Sequence, residues 1–177
     1  LILGDNIFYG TGLQATLQDC INPEGGIIFA YKVHNPERYG VVSFDASGKA
    51  TSLEEKPKTP SSKFAVPGIY FYDNEVISIA KKINPSPRGE LEITDINKAY
   101  LQNQKLQVQE LDSGTAWLDT GTFTSLMKAA QFVQVLQERQ GLRIGAIEEV
   151  AYQMGYINQE QHDTFISPFI KSGYAKR

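Results

Sequence analysis

The sequence predicts an α/β fold: a mixed sheet with an inserted β-hairpin and a C-terminal helical appendage. Three observations carry that reading. Short apolar runs bounded by turn residues alternate with segments of helical spacing, the pattern of helices packed on a sheet. Two β-favouring runs are joined by Asp45-Ala46-Ser47-Gly48-Lys49, which is hairpin turn chemistry. Beyond residue 141 the strand signals stop and only short helical patterns remain.

The elements follow in order. Leu1-Ile2-Leu3-Gly4-Asp5-Asn6 reads as a buried interior strand that stops at a carboxylate. An opening of this kind, with no Met before it, leads us to expect a piece of a larger protein, cut upstream of Leu1. After Gly10-Thr11-Gly12, Leu13 and Leu17 lie on one face of a short helix ending near Asp19-Cys20. Gly25-Gly26 then turns the chain into the strand Ile27-Ile28-Phe29-Ala30-Tyr31. The hairpin arms are Tyr39-Gly40-Val41-Val42-Ser43-Phe44 and Ala50-Thr51-Ser52-Leu53. The second arm runs on through Glu54-Glu55-Lys56 until Pro57 ends it.

Residues 64–72 form another strand, interrupted by Pro67-Gly68, which predicts a bulge or edge position where Gly68 admits a close approach by a ligand. Asp73 or Asn74 caps a helix carrying Val76, Ile77, Ala80 and Ile83, and a second helix carries Ile93, Ile96, Tyr100 and Leu101. Val108 and Leu111 lead into Trp117-Leu118-Asp119-Thr120-Gly121, again a strand ending in a carboxylate. Thr122 caps a long helix with Leu126, Ala129, Ala130, Val133 and Leu136 on one face, and Gly141 closes it. Residues 147–154 and 159–166 are short helical patterns separated by Gly155-Tyr156. The expected organisation is a catalytic-type α/β unit over 1–141 and a helical segment over 142–177.

Composition removes several classes of function. Hydrophobic residues make up 41% of the 177, enough to bury a core rather than stay disordered. Basic and acidic residues nearly balance, at 17 against 20, and no basic block occurs, so neither nucleic acid nor an anionic membrane is the expected partner. Cys20 is alone, which excludes an internal disulfide framework and fits a reducing, cytoplasmic setting. No apolar stretch approaches the roughly 20 residues a bilayer span requires.

Two aspartates at predicted strand ends, Asp5 and Asp119, are the first candidates for chemistry. In an open α/β sheet ligands bind beyond the strands' carboxyl ends. If the two strands are neighbours, the carboxylates face one crevice and can share a cation. Oxygen ligands without His or Cys suit Mg²⁺ rather than zinc, and magnesium held by few carboxylates completes its shell with phosphates. The alternative is that each Asp caps a turn. Lys56 and Arg88 are candidate phosphate cations, the first a point charge, the second a planar fork; Glu55 could accept from sugar hydroxyls. Glu54-Glu55-Lys56 reads equally as a solvated strand end. Tyr9, Tyr39, Tyr70, Tyr72 and Trp117 could floor a sugar or pack a core. His34 and His162 show no carboxylate or hydroxyl partner in the sequence around them. Neither G-x-G-x-x-G nor G-x-x-x-x-G-K-[ST] occurs.

In combination and in this order, the motifs resemble one family. Leu3-Gly4-Asp5-Asn6, Glu37-Arg38-Tyr39-Gly40-Val41-Val42, Leu53-Glu54-Glu55-Lys56-Pro57, Gly68-Ile69-Tyr70-Phe71-Tyr72, Arg88-Gly89-Glu90-Leu91-Glu92-Ile93-Thr94-Asp95 and Trp117-Leu118-Asp119-Thr120-Gly121 are similar to the bacterial glucose-1-phosphate thymidylyltransferases. The likeness extends to Glu148-Glu149-Val150-Ala151 and Lys171-Ser172-Gly173-Tyr174 in the helical segment.

That resemblance implies a Rossmann-like nucleotidyltransferase fold and transfer of a thymidylyl group from dTTP to glucose 1-phosphate, giving dTDP-glucose and pyrophosphate. It implies Mg²⁺ on Asp5 and Asp119, and Lys56 and Arg88 on the sugar phosphate. Gly40, Glu55, Val66 and Tyr70 would line the sugar pocket, with Tyr39 beside it and Trp117 as a wall. It also implies a homotetramer, with the C-terminal helices forming an intersubunit regulatory site.

The resembled family opens with a glycine-rich G-G-x-G-T-R-L-x-P-x-T loop that cradles the triphosphate, and that motif is absent from these 177 residues. The expectation is therefore a chain holding the sugar-phosphate side and the metal carboxylates, not turning over dTTP alone, and either self-associating along an uncovered sheet edge or needing its missing segment. The open alternatives are a uridylyl- or cytidylyltransferase of the same fold, and a non-catalytic sugar-phosphate-binding regulatory subunit.

Overall fold

The computed structural model describes residues 1–141, 143–172 and Tyr174. Gly173 of the Lys171-Ser172-Gly173-Tyr174 quartet lies outside the described residues, as do Leu142, Ala175, Lys176 and Arg177. The chain divides into two compact units, Leu1–Gly121 and Thr122–Arg177. The long helix thus groups with the C-terminal helices, where the sequence reading placed the division after residue 141.

In the first unit the chain runs through β1 (Asn6–Tyr9), α1 (Leu13–Gln18), β2 (Gly26–Lys32), β3 (Gly40–Phe44), β4 (Ala50–Glu55), β5 (Phe64–Ala65), β6 (Tyr70–Tyr72), α2 (Glu75–Ala80), α3 (Ile93–Gln102), β7 (Leu106–Glu110) and β8 (Ala116–Asp119). The sheet is mixed, as expected. β2 pairs antiparallel with β5 and β6 and parallel with β7, while β3 joins β5 to β4.

The alternation of side chains along β2 builds the core on both faces. Ile28 and Ala30 join Val42, Leu53, Val66 and Tyr70, against Ile93 and Leu101 of α3. Ile27 and Phe29 pack on the opposite face with Cys20, Ile69 and Leu111, against Leu13 and Leu17 of α1. A strand covered on both faces has no polar face to show, which is why Ile27-Ile28-Phe29-Ala30 reads as one apolar run.

The Pro67-Gly68 interruption is the expected bulge. Tyr31 faces Ala65 and Ile28 faces Tyr70, so three steps along β2 match five along the other arm. The looped-out residues turn the Gly68 N–H away from the ladder, to the Asn6 side chain. A Cβ on Gly68 would lie 2.8 Å from Asn6 Cγ and 2.8 Å from Leu3 Cβ, so only glycine fits there. The close approach is made by Asn6 and Leu3.

Leu1-Ile2-Leu3 is not a buried interior strand. Leu1 and Ile2 are 64% and 60% exposed, and the run makes only an isolated bridge, Ile2 with Ile69. Its backbone holds to the bulged arm through Leu3 N–H to Gly68 O and Tyr70 N–H to Leu1 O. A turn at Gly4-Asp5 then redirects the chain, and the true strand, β1, begins with Asn6 and pairs antiparallel with β8. Asp5 consequently heads a strand rather than ending one, whereas Asp119 ends β8 as expected.

The second unit holds α4 (Phe123–Gln140), α5 (Ile147–Gln153) and α6 (Gln159–Ile166). α4 starts at a capping box between Thr122 and Ser125 and stops at Gly141 with φ 66°, both as read from the sequence. Of its expected apolar face only Ala129 is buried, and Leu126 is half exposed. His162 does have carboxylate partners. It is buried on α6 with Nε2 3.5 Å from Glu149 of α5 and Nδ1 3.4 Å from Asp163, and its ring lies 5.3 Å from that of Tyr152. The Glu149 contact crosses between helices, which spacing along one helix could not reveal. Among the described residues no helix is long and apolar enough to cross a membrane.

Candidate functional site

Pairing of β1 with β8 places Asn6 opposite Asp119 and brings the two candidate aspartates to one end of the ribbon. The Asp5 carbonyl accepts from the Thr120 N–H at 2.8 Å, which locks the two loops together. Gly121 lies between the carboxylates: a Cβ there would be 3.2 Å from Asp119 Oδ1 and 3.5 Å from Asp5 Oδ2. The pair therefore frames a small cradle that a side chain would fill. Among the described residues no third His, Cys, Asp or Glu joins them as a metal-binding group. Two carboxylates and no nitrogen or sulfur donor fit a hard cation that takes its remaining ligands from water and phosphate.

Asn6 organises this end. Its Oδ1 accepts from the Gly68 N–H at 3.0 Å and from the Trp117 indole N–H at 2.6 Å, while its Nδ2 donates to Asp5 Oδ1 at 2.8 Å. One carboxamide thus orients a carboxylate, an aromatic wall and the bulge. Trp117 also meets the rings of Tyr39 at 4.9 Å and Tyr31 at 5.7 Å. Burial and the Asp119 carboxylate hold the Tyr39 hydroxyl above its ordinary range, against the pull of Arg38.

The second cluster grows from the end of β4. A Cβ on Gly40 would lie 3.1 Å from Thr94 Oγ1, 3.4 Å from Glu55 Oε2 and 3.8 Å from Val66 Cβ, so these four residues face one space. The Thr94 hydroxyl donates to Glu55 Oε2 and so fixes one of its oxygens. Lys56 Nζ and Arg88 Nη2 lie 3.9 and 4.0 Å from Glu55 Oε1. Arg88 also donates twice from Nη2 to Glu92, at 2.8 and 3.0 Å, and approaches Glu90 at 2.8 Å.

Glu92 is buried and additionally accepts from Ser86 at 2.8 Å. Burial alone would raise its carboxyl, but the hydrogen bonds from Arg88 and Ser86 and the nearby charges of Arg88 and Lys56 carry it below the ordinary range. The anchored Glu92 in turn aims a half-exposed guanidinium.

Tyr70 connects the two clusters. It is 3% exposed, and burial followed by the negative charges of Glu55 and Asp5 pushes its hydroxyl far above its ordinary value. It stacks on Tyr72, which stacks on Tyr100, whose hydroxyl donates to Asp73.

The structure therefore brings Gly40, Glu55, Lys56, Val66 and Arg88 to one cluster and Asp5, Asp119, Trp117 and Tyr39 to the other, with Tyr70 between. Sequence reasoning gave no role to Asn6, Arg38, Thr94 or Glu92. All four sat inside quoted motifs, Asn6 and Arg38 directly beside recognised candidates, and that membership was the available signal.

Comparison with known proteins adds the family. The nucleotidyl transferase model matches residues 1–135. The chain belongs to the nucleotidyl transferase family. A glucose-1-phosphate thymidylyltransferase of Mycolicibacterium smegmatis is 57% identical over 98% of this chain and 60% of its own length. One from Neisseria meningitidis is 48% identical over 99% of this chain and 62% of its own length. The chain thus spans about 60% of the length of the curated relatives it matches. Among solved structures, a Bacillus anthracis protein described as a putative glucose-1-phosphate thymidylyltransferase, in complex with sucrose, superposes with TM-score 0.63 at 43% identity, covering 74% of this chain and 52% of that one. An apo UDP-glucose pyrophosphorylase superposes with TM-score 0.62 at 18% identity, covering 78% and 54%, a likeness of fold alone. The nucleotidyltransferase fold expected from the motifs is the one observed.

Proposed function

We propose that the protein transfers a thymidylyl group from dTTP to α-D-glucose 1-phosphate. One observation carries the reading: the adjacent Tyr39 and Gly40 join the two clusters, Tyr39 against Trp117 beside the Asp5–Asp119 pair and Gly40 against Glu55 and Val66, in a chain 57% identical to an enzyme of that name.

On this reading a phosphate oxygen of the sugar attacks the α-phosphorus of dTTP in line. The bond from that phosphorus to the bridging oxygen breaks, and pyrophosphate leaves with the electron pair. Lys56 and Arg88 hold the attacking phosphate, and Glu55 accepts from a sugar hydroxyl through the oxygen that Thr94 leaves free. Gly40 gives the hexose room, Val66 and Tyr70 line its pocket, and Trp117 and Tyr39 wall it. Asp5 and Asp119 would hold Mg²⁺, which when bound orients phosphates and neutralises their charge. The protein's own contribution is positioning and electrostatics, with no covalent enzyme intermediate.

Residues 1–141 serve as the sugar-phosphate half and residues 142–177 as the oligomerisation and regulatory segment of a cytoplasmic homotetramer. The turnover proposed is that of the full-length protein, the glycine-rich triphosphate loop being absent from these 177 residues. The test is pyrophosphate release by the full-length protein from glucose 1-phosphate with dTTP, UTP or CTP in parallel. Release with dTTP that is lost in Lys56→Ala supports the reading; release only with another nucleotide, or none, refutes it.

A further inference from the structure

Arg38 has no part in the scheme above, yet it touches the carboxylate pair. It closes the one-turn 3-10 segment Pro36–Arg38, immediately before Tyr39 and Gly40. Its Nη2 lies 3.6 Å from Asp119 Oδ2, and its guanidinium sits over the Tyr39 ring, 5.5 Å from the centroid. Nearly half of the Arg38 side chain is exposed against a fifth of Asp119's, so the arginine stands open to solvent and the aspartate is the more enclosed of the two.

The oxygens of the pair are not equivalent. Asp119 Oδ1 accepts from the Gly121 N–H at 3.0 Å, and Asp5 Oδ1 accepts from Asn6 Nδ2 at 2.8 Å. Asp5 Oδ2 faces Gly121, and Asp119 Oδ2 faces Arg38. A cation shared by the two aspartates and drawn to Asp119 Oδ2 meets a positive charge already beside that oxygen.

We propose that Arg38 is a built-in counter-ion that competes with the divalent cation for Asp119 and so couples metal binding to the arrival of a phosphate. This rests on the reading of Asp5 and Asp119 as metal ligands. Without substrate, the guanidinium neutralises Asp119 and keeps cation affinity modest. A phosphate entering beside the pair offers Arg38 an oxygen pair that matches its fork better than one carboxylate oxygen at 3.6 Å does. Arg38 then leaves Asp119 to the cation. Coupling of this kind is reciprocal: the phosphate tightens the metal by the factor by which the metal tightens the phosphate. The device withholds the cation until there is a phosphate for it to act on.

The test is calorimetric titration of Mn²⁺ into the full-length protein, into Arg38→Met and into Arg38→Lys, each with and without glucose 1-phosphate. Without the sugar phosphate, Arg38→Met is expected to bind Mn²⁺ about two- to fivefold more tightly than wild type, the range an exposed ion pair is worth. Arg38→Lys, which keeps the charge, is expected to stay near wild type. Glucose 1-phosphate should tighten Mn²⁺ binding in wild type and do so less in Arg38→Met. Equal or weaker Mn²⁺ binding by Arg38→Met overturns the inference and leaves the metal reading standing. Absence of Mn²⁺ binding from wild type and Arg38→Met alike removes the metal reading, and the inference with it.

Discussion

Lys56 is asked to do two things at once, and a pair of substitutions separates them. Its backbone is left-handed, with φ 43°, one of two such non-glycine residues among those described. That conformation lets the chain leave β4 and meet Pro57, and it costs an L-residue roughly 1–2 kcal/mol. Glycine adopts it freely but gives back about 0.4–1 kcal/mol through the entropy of the unfolded chain. Lys56→Gly should therefore be more stable than Lys56→Ala by about 0.5–1 kcal/mol, although both lose the same ammonium group. Sugar-phosphate affinity should fall alike in both, by about 10- to 100-fold, since a hydrogen bond to a charged group contributes about 1.5–3 kcal/mol. Urea unfolding of the two variants reads the first difference, and calorimetric titration of glucose 1-phosphate reads the second. A Lys56→Gly variant no more stable than Lys56→Ala would refute the strain argument. Undiminished affinity in both would remove Lys56 from the phosphate site.

Three further outcomes follow from the geometry. Gly121→Ala puts a methyl 3.2 Å from Asp119 Oδ1, inside the cradle; Mn²⁺ affinity by calorimetry should drop about tenfold or more while the thermal midpoint barely moves. Gly68→Ala drives a methyl to 2.8 Å from Asn6 Cγ, so stability should fall by about 1–3 kcal/mol and the emission of Trp117, bonded to Asn6, should shift; an unchanged spectrum would mean the bulge and the tryptophan are not coupled. Glu92 has a depressed carboxyl, so its contribution is full above the ordinary value of 4.5 and is lost as pH falls through its folded value. Urea midpoints of wild type and Glu92→Gln should accordingly differ at pH 7 and converge as the pH falls through the folded value of Glu92.

What the sequence made legible depended on whether the signal was local. β2 could be read because a strand covered on both faces must be apolar throughout, and α4 because Thr122 and Gly141 mark its ends chemically. The same rule misread Leu1-Ile2-Leu3: three apolar residues look like core, but only pairing decides burial, and this run makes one isolated bridge to Ile69 while the strand that pairs in full with β8 begins at Asn6. Candidate ligands were legible as motifs. Their organisers were not, because the carboxamide of Asn6 acquires a purpose only when Gly68 and Trp117 converge on it, and the Thr94 hydroxyl only when Glu55 does. His162 escaped only in part for that reason: Glu149 lies on another helix, but Asp163 is its neighbour in the sequence and was legible there.

The strand on which the sheet is centred supplies none of the candidate ligands. β2 is paired along both edges, buries Ile27, Ile28, Phe29 and Ala30, and meets the site through the ring of Tyr31 against Trp117 and through Ile28 opposite Tyr70. The groups proposed to bind hang from other elements: the ends of β4 and β8, the bulge, the turn before β3 and the loop around Arg88. Val66 and Tyr70 belong to both core and pocket; the other candidate ligands lie outside the strand that anchors the fold. A lineage could exchange the pocket residues other than Val66 and Tyr70 one at a time, drifting from one sugar phosphate to another, without first having to rescue its core.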